Sequence, residues 1–288
     1  MAVVATGFFD GVHPGHRLVI STLLAEAQRR GEEGLVVTFW PHPRTVLQKD
    51  ARNFHILSTP EEKKELLMEA GAEFVKIIPF TRDFASLTAE QYLKFVMFEY
   101  DASCVILGYD TRLGSDQKGP EEIARMAAAM HLDAIIAPPF KGVAPEGENV
   151  SSTKVRRALE EGSVALASEM LGRPYKVHGV VVSGKQKGRT IGYPTANVRL
   201  YNPLKLIPGP GVYFSRVEVL GCEWYGMTNV AVDGSIETHI LDFTEEIYGL
   251  DIKISFLDRI RDEHLFESLD ALKVQLASDE QACRERFV

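Results

Sequence analysis

Two imidazoles, His13 and His16, stand three positions apart in the run Thr6-Gly7-Phe8-Phe9-Asp10-Gly11-Val12-His13-Pro14-Gly15-His16. Histidine donates hydrogen bonds near neutral pH, so two such rings in one turn can stabilise charge that gathers on a phosphate oxygen during transfer. Gly11 and Gly15 let the main chain come close to a ligand. The plain alternative is a surface turn with two incidental histidines. Context favours the chemistry. The apolar run Ala2-Val3-Val4-Ala5 is too short for a helix, and Ile20, Leu23, Leu24 and Ala27 recur afterwards at helical spacing. The order is therefore strand, loop, helix, with His16 at the helix start. There the first N–H groups lack internal partners and the dipole is positive, which stabilises an anionic phosphate.

Further chemistry-bearing stretches follow. Trp40-Pro41-His42-Pro43-Arg44 comes directly after the apolar run 35–39. At the carboxyl end of a strand in an open α/β sheet, His42 and Arg44 lie on the rim of a ligand crevice, unless the prolines only build a turn. Gly108-Tyr109-Asp110-Thr111-Arg112-Leu113-Gly114 stands at a similar edge. In Ser151-Ser152-Thr153-Lys154-Val155-Arg156-Arg157 the hydroxyls are strong helix caps, and Val155, Ala158 and Leu159 supply an inner face. Hydroxyls, N–H groups and Arg156 together make a second phosphate cradle, or else an ordinary cap with a solvated basic turn. Finally, Gly184-Lys185-Gln186-Lys187-Gly188-Arg189-Thr190-Ile191-Gly192-Tyr193-Pro194-Thr195-Ala196-Asn197 combines three glycines with three cations. Such a loop can wrap a polyphosphate, and the Thr195 hydroxyl and Asn197 carbonyl are hard donors suited to a hydrated magnesium ion. The bland counterpart is a flexible basic surface loop. Glu237, on an alternating strand, is a sensible general base, although a solvated glutamate is the commoner case.

The elements that carry these groups change character along the chain. Apolar runs at 35–39, 74–79, 103–107 and 134–137 alternate with helical segments at 61–70, capped by Thr59 or Ser58, and at 88–100. That alternation predicts a parallel sheet covered on both faces, with right-handed crossovers. Beyond Leu171-Gly172-Arg173-Pro174 five β-runs take over, at 177–183, 211–220, 223–230, 236–243 and 251–257. They predict a small antiparallel barrel, with a helix from Ser268 onward. Two domains, 1–172 and 173–288, suit a chain of 288 residues. A net charge of −8 argues against a nucleic-acid partner, though not against nucleotides. No apolar stretch approaches the roughly 18 to 20 residues of a membrane span. Three dispersed cysteines and no secretory leader predict a reducing cytoplasm.

The run Gly7 to His16 resembles the opening signature of the bacterial bifunctional riboflavin kinase/FMN adenylyltransferases, the FAD synthetases. Its His-x-Gly-His part alone marks only the wider nucleotidylyltransferase superfamily. Thr38-Phe39-Trp40-Pro41-His42-Pro43 resembles that family's Thr-Phe-x-Pro-His-Pro element, and Val150-Ser151-Ser152-Thr153-Lys154-Val155-Arg156 is similar to its Ile-Ser-Ser-Thr-x-Ile-Arg. The Asp110 stretch is similar to Gly-x-Asp/Asn-Phe-x-Phe-Gly, with Thr111 and Leu113 where aromatics are usual. In the second half, Gly188-Arg189-Thr190-Ile191-Gly192-Tyr193-Pro194-Thr195-Ala196-Asn197 resembles the ATP-binding signature of riboflavin kinases, and Glu237-Thr238-His239-Ile240-Leu241-Asp242-Phe243 their catalytic segment. The family's Gly-x-Arg-Pro-Thr element is replaced by Asn229-Val230-Ala231-Val232-Asp233-Gly234-Ser235-Ile236, which is shorter and lacks the arginine.

The resemblance implies a Rossmann-like nucleotidylyltransferase domain with a parallel sheet, followed by a small antiparallel β-barrel kinase domain with a C-terminal helix. It implies that ATP phosphorylates riboflavin to FMN, and that FMN and a second ATP give FAD and pyrophosphate. His13, His16 and Arg156 would then stabilise charge during adenylyl transfer, beside Gly7, Phe8, Asp10, Gly11, His42, Asp110, Ser151, Ser152 and Thr153 as binding residues. In the barrel, Gly184, Lys187, Gly188, Arg189, Gly192 and Pro194 would bind nucleotide, Thr195 and Asn197 would hold Mg²⁺ with ATP, and Glu237 would take the proton from the ribityl hydroxyl. Two other readings remain open: an adenylyltransferase for another phosphorylated acceptor, and a flavin- or nucleotide-binding protein with one decayed site. The expected partners are small molecules, with no nucleic acid and no membrane, and the chain is expected to be a monomer or weak homo-oligomer.

Overall fold

The computed structural model describes residues 1–47, 54–140, 149–184, 188, 191–264 and 266–286. The chain divides into two compact units, Met1–Ser152 and Thr153–Val288.

In the first unit, five parallel strands lie in the order β3-β2-β1-β4-β5: β1 (Ala2–Thr6), β2 (Glu33–Trp40), β3 (Phe74–Pro79), β4 (Ala102–Leu107) and β5 (Asp133–Ile136). β1 is buried along its whole length because alternate side chains enter two different cores. Val3 and Ala5 pack with Val19, Ile20 and Leu23 of α1 (Pro14–Arg30). Ala2 and Val4 pack with Leu93 and Val96 of α5 (Ala89–Tyr100) and Ile123 of α6 (Pro120–Ala129). Both faces are therefore covered, as an all-parallel sheet requires. The remaining helices of this unit are α2 (Pro43–Leu47), α3 (Pro60–Glu69) and α4 (Arg82–Ala85). Thr59 caps α3 and Thr88 caps α5, each through a reciprocal capping box. The strand order turns back between β1 and β4, so the crevice outside their carboxyl ends is the place where this topology binds ligands.

The second unit holds α7 (Ser152–Glu160, whose first residue belongs to the first unit), α8 (Val164–Leu171), a closed barrel and α9 (Leu269–Arg284). α8 lies against two barrel strands, β6 (Tyr175–Val182) and β11 (Asp251–Arg261), so residues 153–172 pack with the barrel. Six antiparallel strands close in the order β10-β7-β6-β11-β8-β9, the others being β7 (Ala196–Leu200), β8 (Gly211–Val219), β9 (Cys222–Val230) and β10 (Ile236–Ile240). The barrel thus has one strand more than the five runs expected. β7 starts inside the Pro-Thr-Ala-Asn turn signal and carries Asn197 and Arg199, which mask its alternation. Across β8, β9 and β10, the buried hydroxyls of Ser215, Thr228 and Thr238 form a ladder of hydrogen bonds, 2.6 and 3.0 Å long. Each satisfies its neighbour, so three polar groups are buried without an orphan. Arg261 of β11 clasps the buried Asp279 of α9 with contacts of 2.8 to 3.0 Å, which fastens the terminal helix.

Candidate active sites

The loop after β1 turns in an unusual way. Phe9 (φ 47°), Gly11 (φ 80°) and Val12 (φ 39°) all take left-handed backbone. For a β-branched residue such as Val12 this is a genuine outlier, at a cost of about 1–3 kcal/mol, and it persists only where surrounding contacts over-determine it. Those contacts come from the segment before α3. The buried Asp10 carboxylate accepts hydrogen bonds from the main-chain N–H of Leu57 at 3.1 Å and of Ser58 at 3.0 Å, and from the Ser58 hydroxyl at 3.2 Å. The Gly11 N–H donates to Ser58 Oγ at 3.0 Å, and Ser152 Oγ donates to the Asp10 carbonyl at 2.8 Å. Asp10, Gly11, Ser58 and Ser152 are thus joined in one network.

His13 is the N-cap of α1 but does not cap it with its side chain. Instead its ring stacks on that of His16, with centroids 3.7 Å apart and planes at 19°. Gly15 makes this possible: a Cβ there would stand 3.1 Å from the His13 ring. The two imidazoles therefore form a single block at the positive end of α1. Phe9 meets the edge of His16 at 5.3 Å.

Beside this block lies a cluster of aromatic rings. Phe8 packs on Phe39 (5.1 Å), His42 (5.4 Å) and Phe80 (5.5 Å), and His42 lies 4.5 Å from Phe54. Trp40-Pro41-His42 is a turn followed by the short α2, and Arg44 sits over the Phe54 ring at 5.4 Å. Asp110 is exposed at the end of β4, in a turn closed by Thr111 N–H on the Gly108 carbonyl at 3.1 Å. Ser151 and Ser152 are partly exposed and Thr153 is exposed. Arg156 is buried in α7 alongside Val155, Ala158 and Leu159.

In the barrel, Glu237 of β10 pairs with Asn197 of β7, so the two side chains share the outer face, whereas Thr238 and Ala196 are turned inward and buried. Thr195 Oγ1 donates to Glu237 Oε2 at 3.4 Å. Gly184 admits the Asn197 amide, since a Cβ there would fall 2.2 Å from its nitrogen. Hydroxyl, amide and carboxylate oxygens gather on one face, a hard donor set that suits a cation retaining most of its waters. The Nδ1–H of His239, two residues along β10, donates to the Pro194 carbonyl at 2.8 Å. The Gly188 carbonyl accepts from the N–H of Ile191 and Tyr193 at 3.1 and 2.9 Å, and Gly192 has φ 88°. Lys187 and Arg189 lie outside the described residues. Residues 231–235 form a tight hairpin closed by Ala231 N–H on the Ser235 carbonyl at 3.0 Å.

Sequence reasoning missed Ser58 as a loop anchor, Lys63, Phe54, Phe80 and His239. Ser58 was visible only as a possible cap, and Lys63 stands in the charged run Glu61-Glu62-Lys63-Lys64-Glu65, which reads as a solvated face. Its one signal is its spacing of four from the buried Leu67. The three cysteines are free thiols, and burial pushes Cys104 and Cys283 up to about 11 and about 12.

A stacked histidine pair outside the carboxyl end of a parallel sheet, with a hydroxyl-bearing helix start held against its loop, places the first unit in the nucleotidylyltransferase class. The comparisons with known proteins extend this to the whole chain. The FAD synthetase family matches residues 1–154 and the riboflavin kinase family residues 171–287. The bifunctional riboflavin kinase/FMN adenylyltransferase of Bacillus subtilis is 33% identical over 99% of this chain and 92% of its own length. That of Listeria monocytogenes is 35% identical with the same coverage. A crystal structure from Streptococcus pneumoniae, described as a macrolide-efflux protein, superposes with a TM-score of 0.89 at 34% identity, over 98% of this chain and 93% of that one. Among the described residues no helix is long and apolar enough to cross a membrane. The chain belongs to the bifunctional riboflavin kinase/FMN adenylyltransferase family.

Proposed function

We infer that this protein makes both flavin cofactors, phosphorylating riboflavin to FMN and adenylylating FMN to FAD, and that residues 1–172 serve the second reaction and 173–288 the first. The observation that carries this reading is the stacked pair His13 and His16 at the start of α1, in a chain whose second half matches the riboflavin kinases.

In adenylyl transfer, a phosphate oxygen of FMN attacks the α-phosphorus of ATP, and the bond from that phosphorus to the pyrophosphate oxygen breaks. No covalent enzyme intermediate is needed. Negative charge moves onto the leaving pyrophosphate, so donors fixed in advance are the main contribution open to the protein. His13 and His16 supply two, the N-terminus of α1 adds its dipole, and Ser151, Ser152, Thr153 and Arg156 contribute hydroxyls, N–H groups and a cation. The rings of Phe8, His42, Phe54 and Phe80 offer a planar flavin a surface to pack on. Gly7, Gly11 and Asp110 complete the rim.

In phosphorylation, the terminal ribityl hydroxyl gives its proton to Glu237 and attacks the γ-phosphorus of ATP, releasing ADP. Thr195 orients the carboxylate through its hydroxyl. Thr195 and Asn197 would hold Mg²⁺, which when bound neutralises phosphate charge and lets the nucleophile approach. Gly184, Lys187, Gly188, Arg189, Gly192 and Pro194 would wrap the phosphates. The protein works in the cytoplasm as a monomer or weak homo-oligomer.

The test is to incubate the protein with riboflavin and Mg-ATP and to follow FMN and FAD. His16→Ala should lower FAD formation about 10²–10³-fold while FMN accumulates. Glu237→Gln should lower FMN formation about 10²–10⁴-fold while supplied FMN is still adenylylated. Loss of both activities in either folded variant contradicts two separate sites.

A further inference from the structure

Lys63 of α3 is almost wholly buried, at 5% exposure, and its cation has no role in either reaction as described above. Its Nζ donates to the carbonyl of Phe39 at 2.9 Å and to that of Phe8 at 3.2 Å, and Thr38 Oγ1 donates to the same Phe8 carbonyl at 3.2 Å. The first carbonyl stands near the end of β2 and the second in the histidine loop. One ammonium therefore bridges the loop and the strand beside it, and α3 supplies the post. Asp10 answers from the other side, reaching from the loop to the N–H groups of Leu57 and Ser58 just ahead of the same helix. The left-handed residues Phe9, Gly11 and Val12 lie within and directly after the span from Phe8 to Asp10. A strained turn needs fixing at more than one point, and these are two of its fixings.

We propose that Lys63 is a positioning residue for adenylyl transfer: its ammonium, held on the Phe8 and Phe39 carbonyls, sets the backbone course that brings His13 and His16 into line with the α-phosphorus of ATP. This rests on the reading of the first unit as an adenylyltransferase.

The energetics separate this role from a merely structural one. Burial pushes the Lys63 amine down to about 8, against the upward pull of Asp10. A lysine whose pKa is lowered by folding opposes folding at neutral pH, and that opposition is relieved as the pH rises from about 8 towards its unfolded value. A cation kept at a cost to stability has another use. Exchanging the ammonium for an apolar side chain of similar volume removes that desolvation cost but withdraws a donor from the Phe39 carbonyl and one of two from the Phe8 carbonyl, so the two effects offset each other. Among the described residues, Asp10 is the charged group that acts on the ammonium; the histidine loop and β2 meet it with the Phe8 and Phe39 carbonyls, and the carboxylate of Glu62, its neighbour on α3, accepts from the Thr59 N–H.

Two measurements decide the matter. Lys63→Met in the full chain should stay folded, with a melting temperature within about 5 °C of the wild type, and leave riboflavin phosphorylation within twofold, while kcat for FAD formation from FMN and Mg-ATP falls about 10–100-fold, as a displacement of about 1 Å would cause. In the wild type, kcat for FAD formation should decline above pH about 8, where the ammonium is lost. Riboflavin phosphorylation on the same chain should not share that decline, and Lys63→Met should lack it. The proposal is overturned if folded Lys63→Met adenylylates FMN at the wild-type rate, if it loses stability and activity together, or if the wild type shows no alkaline decline. A wild type that makes no FAD from FMN overturns the adenylyltransferase reading instead.

Discussion

Single side chains in this protein fix the main chain around both candidate sites by donating to its carbonyls. His239 shows this in the barrel. Its Nδ1–H on the Pro194 carbonyl at 2.8 Å holds the residue next to Thr195, whose hydroxyl touches Glu237. The side-chain amide of asparagine can place a donor where Nδ1 stands, and that of glutamine reaches further, towards the position of Nε2. His239→Asn should therefore keep riboflavin phosphorylation within about fivefold, whereas His239→Gln should lose about 10²-fold, mostly in kcat. Steady-state kinetics with riboflavin and Mg-ATP checks the contrast. Equal losses in both variants would mean that the ring itself matters rather than its Nδ1 donor.

Elements were readable where local rules decide them. The four apolar runs after β1, the cap at Thr59 or Ser58, which falls on Thr59, and the helix after the histidine loop, which begins at Pro14 with His16 in its first turn, follow from periodicity and capping, which are local in sequence. Helices α6 and α8 and strand β7 escaped, although α6 has a readable start at Pro120 and a buried pair, Ile123 and Ala127, at helical spacing; α8 is a short apolar run, and β7 starts inside a signature. The partners that fix the histidine loop escaped for a different reason. Asp10 meets Leu57 and Ser58 across 47 and 48 residues, and no local pattern reports a contact at that distance. α3 is accordingly more than a crossover, for it carries Lys63 and begins beside Ser58. In its capping box the Thr59 side chain accepts from Glu62 N–H at 3.3 Å, and the Glu62 carboxylate accepts from Thr59 N–H at 2.9 Å. Thr59→Ala should weaken the first turn of α3 by about 1 kcal/mol. Amide hydrogen exchange should show faster exchange there, with protection in the barrel unchanged.

Taken over its full length, the chain strings two reactions in order of need in reverse, with the unit that consumes FMN ahead of the unit that makes it. With the sites assigned as proposed, residues 1–172 carry one reaction and 173–288 the other, so FMN released by one molecule would be a substrate for another. A mixture of His16→Ala and Glu237→Gln proteins should therefore convert riboflavin to FAD, at a rate set by their concentrations, although neither does so alone. Failure of the mixture, with each variant retaining its remaining activity, would show that FMN does not leave the molecule. The hydroxyl ladder of Ser215, Thr228 and Thr238 adds a safeguard to the kinase half. Thr238 is the immediate neighbour of Glu237 and points the opposite way, so a slip of β10 by one position would drive a carboxylate into the apolar interior and strand two hydroxyls without their third. Wrong pairing of that strand is thereby punished during assembly, and a barrel that has closed in this register carries the Glu237 carboxylate on its outer face, beside Asn197.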